Sequence, residues 1–402
     1  MELALEIFNF SLTAILIGIS GAWIFLIKSM TDSFRLTPFL DRFEDISKIQ
    51  PKVSIILPAR NEEKFIGKCL DSLIDQDYEN YEIVVIDDSS DDSTAKIIKQ
   101  YAEKHPKIIP VSAKPKPDGW MGKNWACMEG FRNSNGDLLL FTDADTKHSR
   151  KIISLSVSHL LSFELDALSV IPKMLTFDFW TKITLPMIST FLHSRFSALN
   201  VNNPKKKTGY FFGSFFIIKR ETYEKVGMHE GVRHEIIEDG ALGKKTKELG
   251  YKIKMVRGDH LVDAVWARDK DTLWNALKRL MVPLYLQSGK IAIGIFFAVV
   301  FLLFVPFPIA ATYAIFPVDT VSGKLVCIAS TVASILIYIG AVVEVKMGLG
   351  LRLVHALFAP LGSLVVIMGF LSGLLQAKSN SSVSWRGRSY SMKDHDQSSI
   401  SV

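Results

Sequence analysis

Val53-Ser54-Ile55-Ile56-Leu57-Pro58-Ala59-Arg60-Asn61-Glu62-Glu63 is the stretch that decides the fold. Its first five residues form an apolar run rich in β-branched side chains, ended by Pro58. A half-exposed strand would alternate polar with apolar, so this run predicts a strand buried on both faces. Helical spacing follows over 61–72, through Phe65, Ile66, Cys69, Leu70 and Leu73.

The pattern repeats outward. Residues 82–86 (EIVVI) are a second strand that runs into Asp87-Asp88-Ser89-Ser90-Asp91-Asp92-Ser93-Thr94. That cluster supplies turn and N-cap chemistry for a helix over 95–104, with Asp91 and Ser93 as the expected caps. Residues 108–112 read as a third strand, and 138–141 (LLLF) as a fourth that ends in Thr142-Asp143-Ala144-Asp145. Strands alternating with helices predict an α/β domain with a mostly parallel sheet, spanning about residues 50–270. In such sheets ligands bind beyond the carboxyl ends of the strands, where both acidic clusters sit.

Past residue 151 the pattern loosens. Residues 176–200 mix aromatics, isolated charges and Pro186, and fit either a core helix pair or a helix in the membrane interface with Trp180 and the Phe residues down. Residues 202–207 are a basic loop, 215–218 a strand, and a helix starts near Glu221. Residues 271–290 form an amphipathic connector.

The 402 residues are 48% hydrophobic and carry 47 Lys+Arg against 41 Asp+Glu, and the apolar excess lies at the two ends. That content excludes a disordered chain and argues against a purely soluble one. Residues 7–27, 291–318, 325–343 and 353–377 hold no charge beyond the neutral His355. About 20 apolar residues cross a bilayer core, so all four qualify by length. The first reads as an uncleaved anchor, since no basic residue precedes it and no small-residue cleavage pattern follows. Lys28, Arg35, Arg42 and Lys48 follow it closely, which predicts an integral protein of the cell membrane with its middle facing the cytoplasm.

Four crossings would put the polar tail, 378–402, outside. Lys378, Arg386, Arg388 and Lys393 prefer it inside. One C-terminal segment is therefore expected to lie in the interface or to re-enter, with 353–377 (interrupted by His355 and Pro360) or 325–343 the candidates. Cys69, Cys127 and Cys327 form no CxxC pair, and so neither a disulfide framework nor a zinc site.

Asp143-Ala144-Asp145 spaces two carboxylates by one small residue at a strand end. Hard divalent cations such as Mg²⁺ or Mn²⁺ take carboxylate oxygens and keep positions open for phosphates, so the triplet reads as a metal site; a helix cap in a turn is the structural alternative. Asp87-Asp88 sits where a carboxylate can accept hydrogen bonds from a base or ribose. Glu238-Asp239, after Ile236-Ile237, is either a surface helix start or a pair able to supply a general base of shifted pKa. Several chemistries are excluded: no GxGxxG follows the first strand, and Gly119-Trp120-Met121-Gly122-Lys123-Asn124 lacks the P-loop spacing. GxSxG, HExxH and a basic-aromatic nucleic-acid motif are also missing.

Taken together, residues 53–63, Asp87-Asp88, Asp143-Ala144-Asp145 and Glu238-Asp239 resemble family 2 glycosyltransferases of the GT-A fold. Gly119-Trp120-Met121-Gly122-Lys123-Asn124-Trp125-Ala126 is similar to the GWxGKxWA signature of the hopanoid- and carotenoid-associated branch. His229, Arg233 and the tail Trp385-Arg386-Gly387-Arg388-Ser389-Tyr390 resemble that branch as well. The resemblance implies that Pro58, Arg60, Glu62, Asp87 and Asp88 surround the nucleotide and that Lys123 touches the diphosphate. It implies that Asp143 and Asp145 meet the metal and diphosphate, and that Asp239, with Glu238, is the base that deprotonates the acceptor hydroxyl. An inverting displacement follows, with a divalent metal (Mn or Mg) offsetting charge on the leaving diphosphate.

Polymer-forming relatives carry Gln-x-x-Arg-Trp before their membrane helices. Here the region reads Asn275-Ala276-Leu277-Lys278-Arg279-Leu280-Met281, which favours addition of one sugar. The expected partners are a nucleotide-sugar donor, a lipid or isoprenoid acceptor and the membrane, with no nucleic acid. A polyprenyl-phosphate sugar synthase is the alternative enzyme, and a catalytically silent nucleotide-binding scaffold the alternative of another class.

Overall fold

The computed structural model describes residues 2–42, 49–379, 382–385 and 388–391. Lys48, Arg386, Gly387 and Lys393 lie outside the described residues. The described residues form two compact units: an α/β unit within Thr37–Leu175 and Ala198–Trp266 together with those from Val383 to Ser391, and a helical unit within Met1–Leu36, Thr176–Ser197 and Ala267–Ser382.

In the α/β unit the strands are β1 (Val53–Ala59), β2 (Tyr81–Asp87), β3 (Ile108–Ser112), β4 (Leu138–Phe141), β5 (Lys147–His148), β6 (Ala167–Ile171), β7 (Lys173–Leu175), β8 (Phe216–Lys219), β9 (Ile253–Arg257) and β10 (Val262–Val265). The main sheet runs β3-β2-β1-β4-β8-β6-β9, and β5-β10-β7 form a second. β8 is antiparallel to both neighbours and the other ladders of the main sheet are parallel. Ile55, Ile56, Leu57, Ile83, Val84 and Leu140 have no exposed surface, as a sheet covered on both faces requires. The mostly parallel α/β reading therefore holds.

β1 extends past Pro58 to Ala59, two residues beyond the expected end. Its ladder to β4 stops at Ile56↔Phe141, so the missing N–H of Pro58 forfeits no bond on that side. The register Ala59↔Asp87 sets the loop after β1 beside the loop after β2. The first helix starts at Ile66 rather than near 61, because Asn61 takes a left-handed turn with φ 54°. The caps also differ from expectation: Asp92 Oδ1 accepts from the Thr94 N–H at 2.9 Å, while Asp91 pairs with Arg60. The Ser93 side chain makes no cap bond.

In the helical unit, Glu2–Leu36, Val321–Gly348 and Leu353–Lys378 are long and apolar enough to cross a membrane. Residues 291–318 do not form one straight helix. Gly289–Leu303 and Pro306–Ile315 meet at a 44° bend, where Pro306 opens the second piece, so three or four spans are possible by length and composition. Residues 176–200 fold as Phe179–Arg195, with Pro186 inside, followed by Ala198–Asn202. Asp269 and Thr272 form a capping box that starts the connector helix Lys270–Gln287.

Close helix packing in this unit uses glycine and buried polar pairs. Trp23 packs over Gly340, and its Nε1 donates to Leu302 O at 2.7 Å. Glu344 is fully buried at the start of a π-helical turn, Glu344–Gly348, and both its oxygens face His193 Nδ1 at 3.0 and 2.9 Å.

Candidate active site

The loops after β1 and β2 are stapled to each other. Arg60 Nη1 donates to the carbonyls of Asp88 and Ser89, both at 2.5 Å, and its Nη2 meets Asp91 Oδ2 at 3.3 Å. The Glu62 N–H donates to Thr94 Oγ1 at 2.7 Å and the Glu63 N–H to Asp92 Oδ2 at 3.1 Å. The Asp88 N–H closes the gap on Ala59 O at 2.9 Å. Asp88 and Glu62 are buried, while Asp87 is half-buried and accepts from the Ser90 N–H at 3.3 Å. Pro58 stays in the strand and is half-buried.

After β4 the chain turns through Asp143-Ala144-Asp145, with Ala144 buried and both aspartates half-buried. A polar network beneath fixes this turn. Thr146 Oγ1 donates to Asp143 O at 2.7 Å, Thr142 Oγ1 donates to Ser214 O at 2.7 Å, and His148 Nε2 lies 3.0 Å from Thr142 Oγ1. Burial pushes the His148 pKa down to about 4, so it stays neutral. None of this second layer was expected from sequence.

The helix Gly122–Arg132 begins inside the tryptophan-rich signature. The Met121 N–H donates to Arg233 O at 2.8 Å, and Asn124 Nδ2 donates to Val232 O at 2.8 Å and Glu235 O at 3.1 Å. The signature is thereby tied to the segment that leads into Glu238. From this first turn Lys123 Nζ reaches Asp143 Oδ1 and Glu238 Oε1, each at 2.7 Å. Burial works against the ammonium, but Asp143, Glu238 and Asp239 outweigh it and hold its pKa well above the usual range.

Glu238 and Asp239 open the helix Glu238–Glu248, so the pair is a helix start and a member of the cluster at once. Asp239 Oδ2 accepts from the Gly213 N–H at 2.6 Å and Oδ1 from the Gly240 N–H at 2.8 Å. Burial first, then the neighbouring Glu238 charge, push the Asp239 carboxyl up to about 7, against the pull of Lys123 and the Gly240 N–H. The site depends on Gly213: a Cβ there would stand 2.8 Å from Asp239 Oδ2 and 3.1 Å from Lys123 Nζ. Gly240 and Gly243 likewise let this helix close on Tyr210 and Phe211.

His229 does not join the cluster. It is buried, its Nδ1 lies 2.6 Å from the Tyr223 hydroxyl, and burial lowers its pKa to about 3. Arg233 Nε donates to His234 Nε2 at 3.0 Å. Burial raises the Cys69 pKa to about 12 and that of Cys127 well above its usual value, which keeps both as thiols at neutral pH.

Among the described residues no group of three or more His, Cys, Asp or Glu gathers as a metal cage. Two half-buried carboxylates at a strand end still fit a hard cation whose remaining positions go to phosphate oxygens and water. The donor chemistry at Asp143 and Asp145 is therefore compatible with Mg²⁺ or Mn²⁺.

Carboxylates thus lie beyond the ends of β1, β2 and β4 in a mostly parallel sheet, and Lys123 joins Asp143 to the second acidic pair. The Glycosyl transferase family 2 model matches residues 54–227, and Glu238-Asp239 lie just beyond the matched segment. The chain is 31% identical over 211 residues to 4,4'-diaponeurosporenoate glycosyltransferase of Staphylococcus aureus (strain USA300), covering 51% of this chain and 54% of the relative. It is 28% identical over 256 residues to the probable glycosyltransferase YdaM of Bacillus subtilis (strain 168), covering 60% and 59%. The chain thus spans little more than half the length of these curated relatives. Its fold is similar to that of a mannosyltransferase from Pyrobaculum calidifontis in complex with GDP-Man and Mn2+, with TM-score 0.52 and 18% identity over 92% of this chain and 99% of that one. The fold is GT-A.

Proposed function

We propose that the protein is a membrane-anchored, inverting glycosyltransferase that moves one sugar from a nucleotide-sugar donor to a lipid or isoprenoid acceptor on the cytoplasmic side of the cell membrane. The observation that carries this reading is the Lys123 ammonium, 2.7 Å from both Asp143 and Glu238. One cation joins the strand end suited to a diphosphate to the carboxylate pair suited to an acceptor hydroxyl. The relative named for diaponeurosporenoate and the helices of spanning length support the acceptor class.

In this reading the Arg60 to Asp88 loops cradle the nucleoside. Asp143 and Asp145 hold a divalent cation, whose chemistry when bound is to offset negative charge on the diphosphate. Asp239, fixed by two backbone N–H groups and tuned to about 7, takes the proton from the acceptor hydroxyl as its oxygen attacks the anomeric carbon. Glu238 keeps that pKa high, and Lys123 steadies the cluster and the leaving diphosphate.

The test uses full-length protein in detergent with labelled UDP- and GDP-sugars, Mn²⁺ and a bacterial lipid extract. Label should enter the lipid phase with release of nucleoside diphosphate. Nucleotide binding without release would instead identify a silent scaffold.

A further inference from the structure

The helix Ala359–Ser379 is apolar enough to cross a bilayer, yet its neighbours argue otherwise. Its glycines form the seam to two other helices. Gly362 lies against the Ile183 carbonyl, a Cβ at Gly369 would stand 2.7 Å from Leu277 Cβ, and one at Gly373 would stand 2.8 Å from Lys278 O. Residue 369 is the middle of this helix, so the Leu277-Lys278-Arg279 turn packs beside its centre. In a crossing helix that centre is at the bilayer midplane, about 15 Å from either surface. Lys and Arg are costly there, and that depth exceeds what a snorkelling side chain spans.

Two further observations agree. Exposed cations stand at both ends of the segment, Lys346 and Arg352 before it and Lys378 after it, whereas a crossing helix would leave one end on the cation-poor side. The strand residues that follow, Val383–Trp385 and Arg388–Ser391, fall in the α/β unit.

We infer that Ala359–Ser379 lies in the plane of one leaflet, on the side where Lys270–Gln287 begins, and that its outer face is a lipid-binding surface. Leu361, Met368 and Leu375, spaced by seven, are 36%, 51% and 59% exposed and form one stripe. Leu357, Phe358 and Phe179 continue the apolar surface, with Phe179 and Phe358 edge to face at 5.1 Å. Its occupant is the acyl region of a leaflet rich in anionic lipid, whose headgroups Arg352 and Lys346 meet. The inference rests on the membrane-anchored reading above, and it leaves the tail on the same side as the catalytic unit.

The experiment uses the full chain, with Cys327→Ser, in vesicles of phosphatidylethanolamine and phosphatidylglycerol. Ser399→Cys in the tail and Lys99→Cys in the α/β unit should react with an impermeant maleimide from the same face. Spin labels at Leu361→Cys, Met368→Cys and Leu375→Cys should share one shallow depth by oxygen and nickel-chelate accessibility. Labelling of the tail and Lys99→Cys from opposite faces, or a depth maximum at Met368 between two shallow ends, would overturn the inference and leave the anchored enzyme intact. Release of the chain from membranes by carbonate would overturn both.

Discussion

Lys123 and Glu238 are 115 positions apart in the chain, yet Lys123 Nζ lies 2.7 Å from Glu238 Oε1 while holding Asp143 at the same distance. The Glu238 side chain is 7% exposed and that of Lys123 is 18% exposed, so the pair is shielded from water and neither charge tolerates loss of the other. Lys123→Met should lower stability by about 3 kcal/mol and kcat by about 10²-fold. Thermal melts and single-turnover kinetics on the detergent-solubilised chain measure the two effects. Lys123→Arg should fail to restore kcat, because a planar fork does not replace a compact ammonium between two carboxylates.

The pH dependence follows from Asp239. Its carboxyl is raised to about 7, so the basic form fills in as pH rises through that value, and kcat should climb on an acid limb centred near 7. Glu238 is a cause of that rise, and Glu238→Gln should therefore move the limb to lower pH. The sign for stability is opposite to that for activity. The folded chain holds this proton more tightly than the unfolded one, so the contribution of Asp239 to stability is present below the ordinary aspartate range and is lost as pH climbs to about 7.

Gly213→Ala tests the close approach. The added carbon would crowd Asp239 Oδ2 at 2.8 Å and Lys123 Nζ at 3.1 Å, so these two groups must shift. A loss of about 10²-fold in kcat is expected with little change in donor affinity, measured by steady-state kinetics beside nucleotide titration.

In the helical unit, His193→Phe leaves the fully buried Glu344 carboxylate without its imidazole. The melting temperature should fall, and His193→Phe with Glu344→Leu should recover part of the loss, a coupling of about 1–3 kcal/mol in a double-mutant cycle.

The sequence foretold the parallel half of the sheet because β1, β2 and β4 are buried on both faces and so read as apolar runs. It said little of β5, β7 and β10, which are short or half-exposed, or of β9, where Lys254 and Arg257 interrupt the run. Charged members of the site stood out as motifs. Gly213 did not, since its contribution is a backbone N–H and an absent side chain, and no spacing rule encodes either. The Thr142, Thr146 and His148 network was equally hidden, because it depends on the turn after β4 and on the Ser214 carbonyl, which arrives only once β4 and β8 pair. Four apolar stretches qualified as spans by length, but hydropathy alone did not reveal the bend at Pro306.

In the proposed reaction Asp239 deprotonates a lipid acceptor during sugar transfer. Transfer of label from UDP- or GDP-sugars into the lipid phase, compared between the native chain and Asp239→Asn, tests it most directly. Transfer with nucleoside diphosphate release is expected in the first and a loss of about 10³-fold or more in the second, with nucleotide binding kept. Equal turnover in Asp239→Asn, or no release from any donor by the native chain, would contradict it.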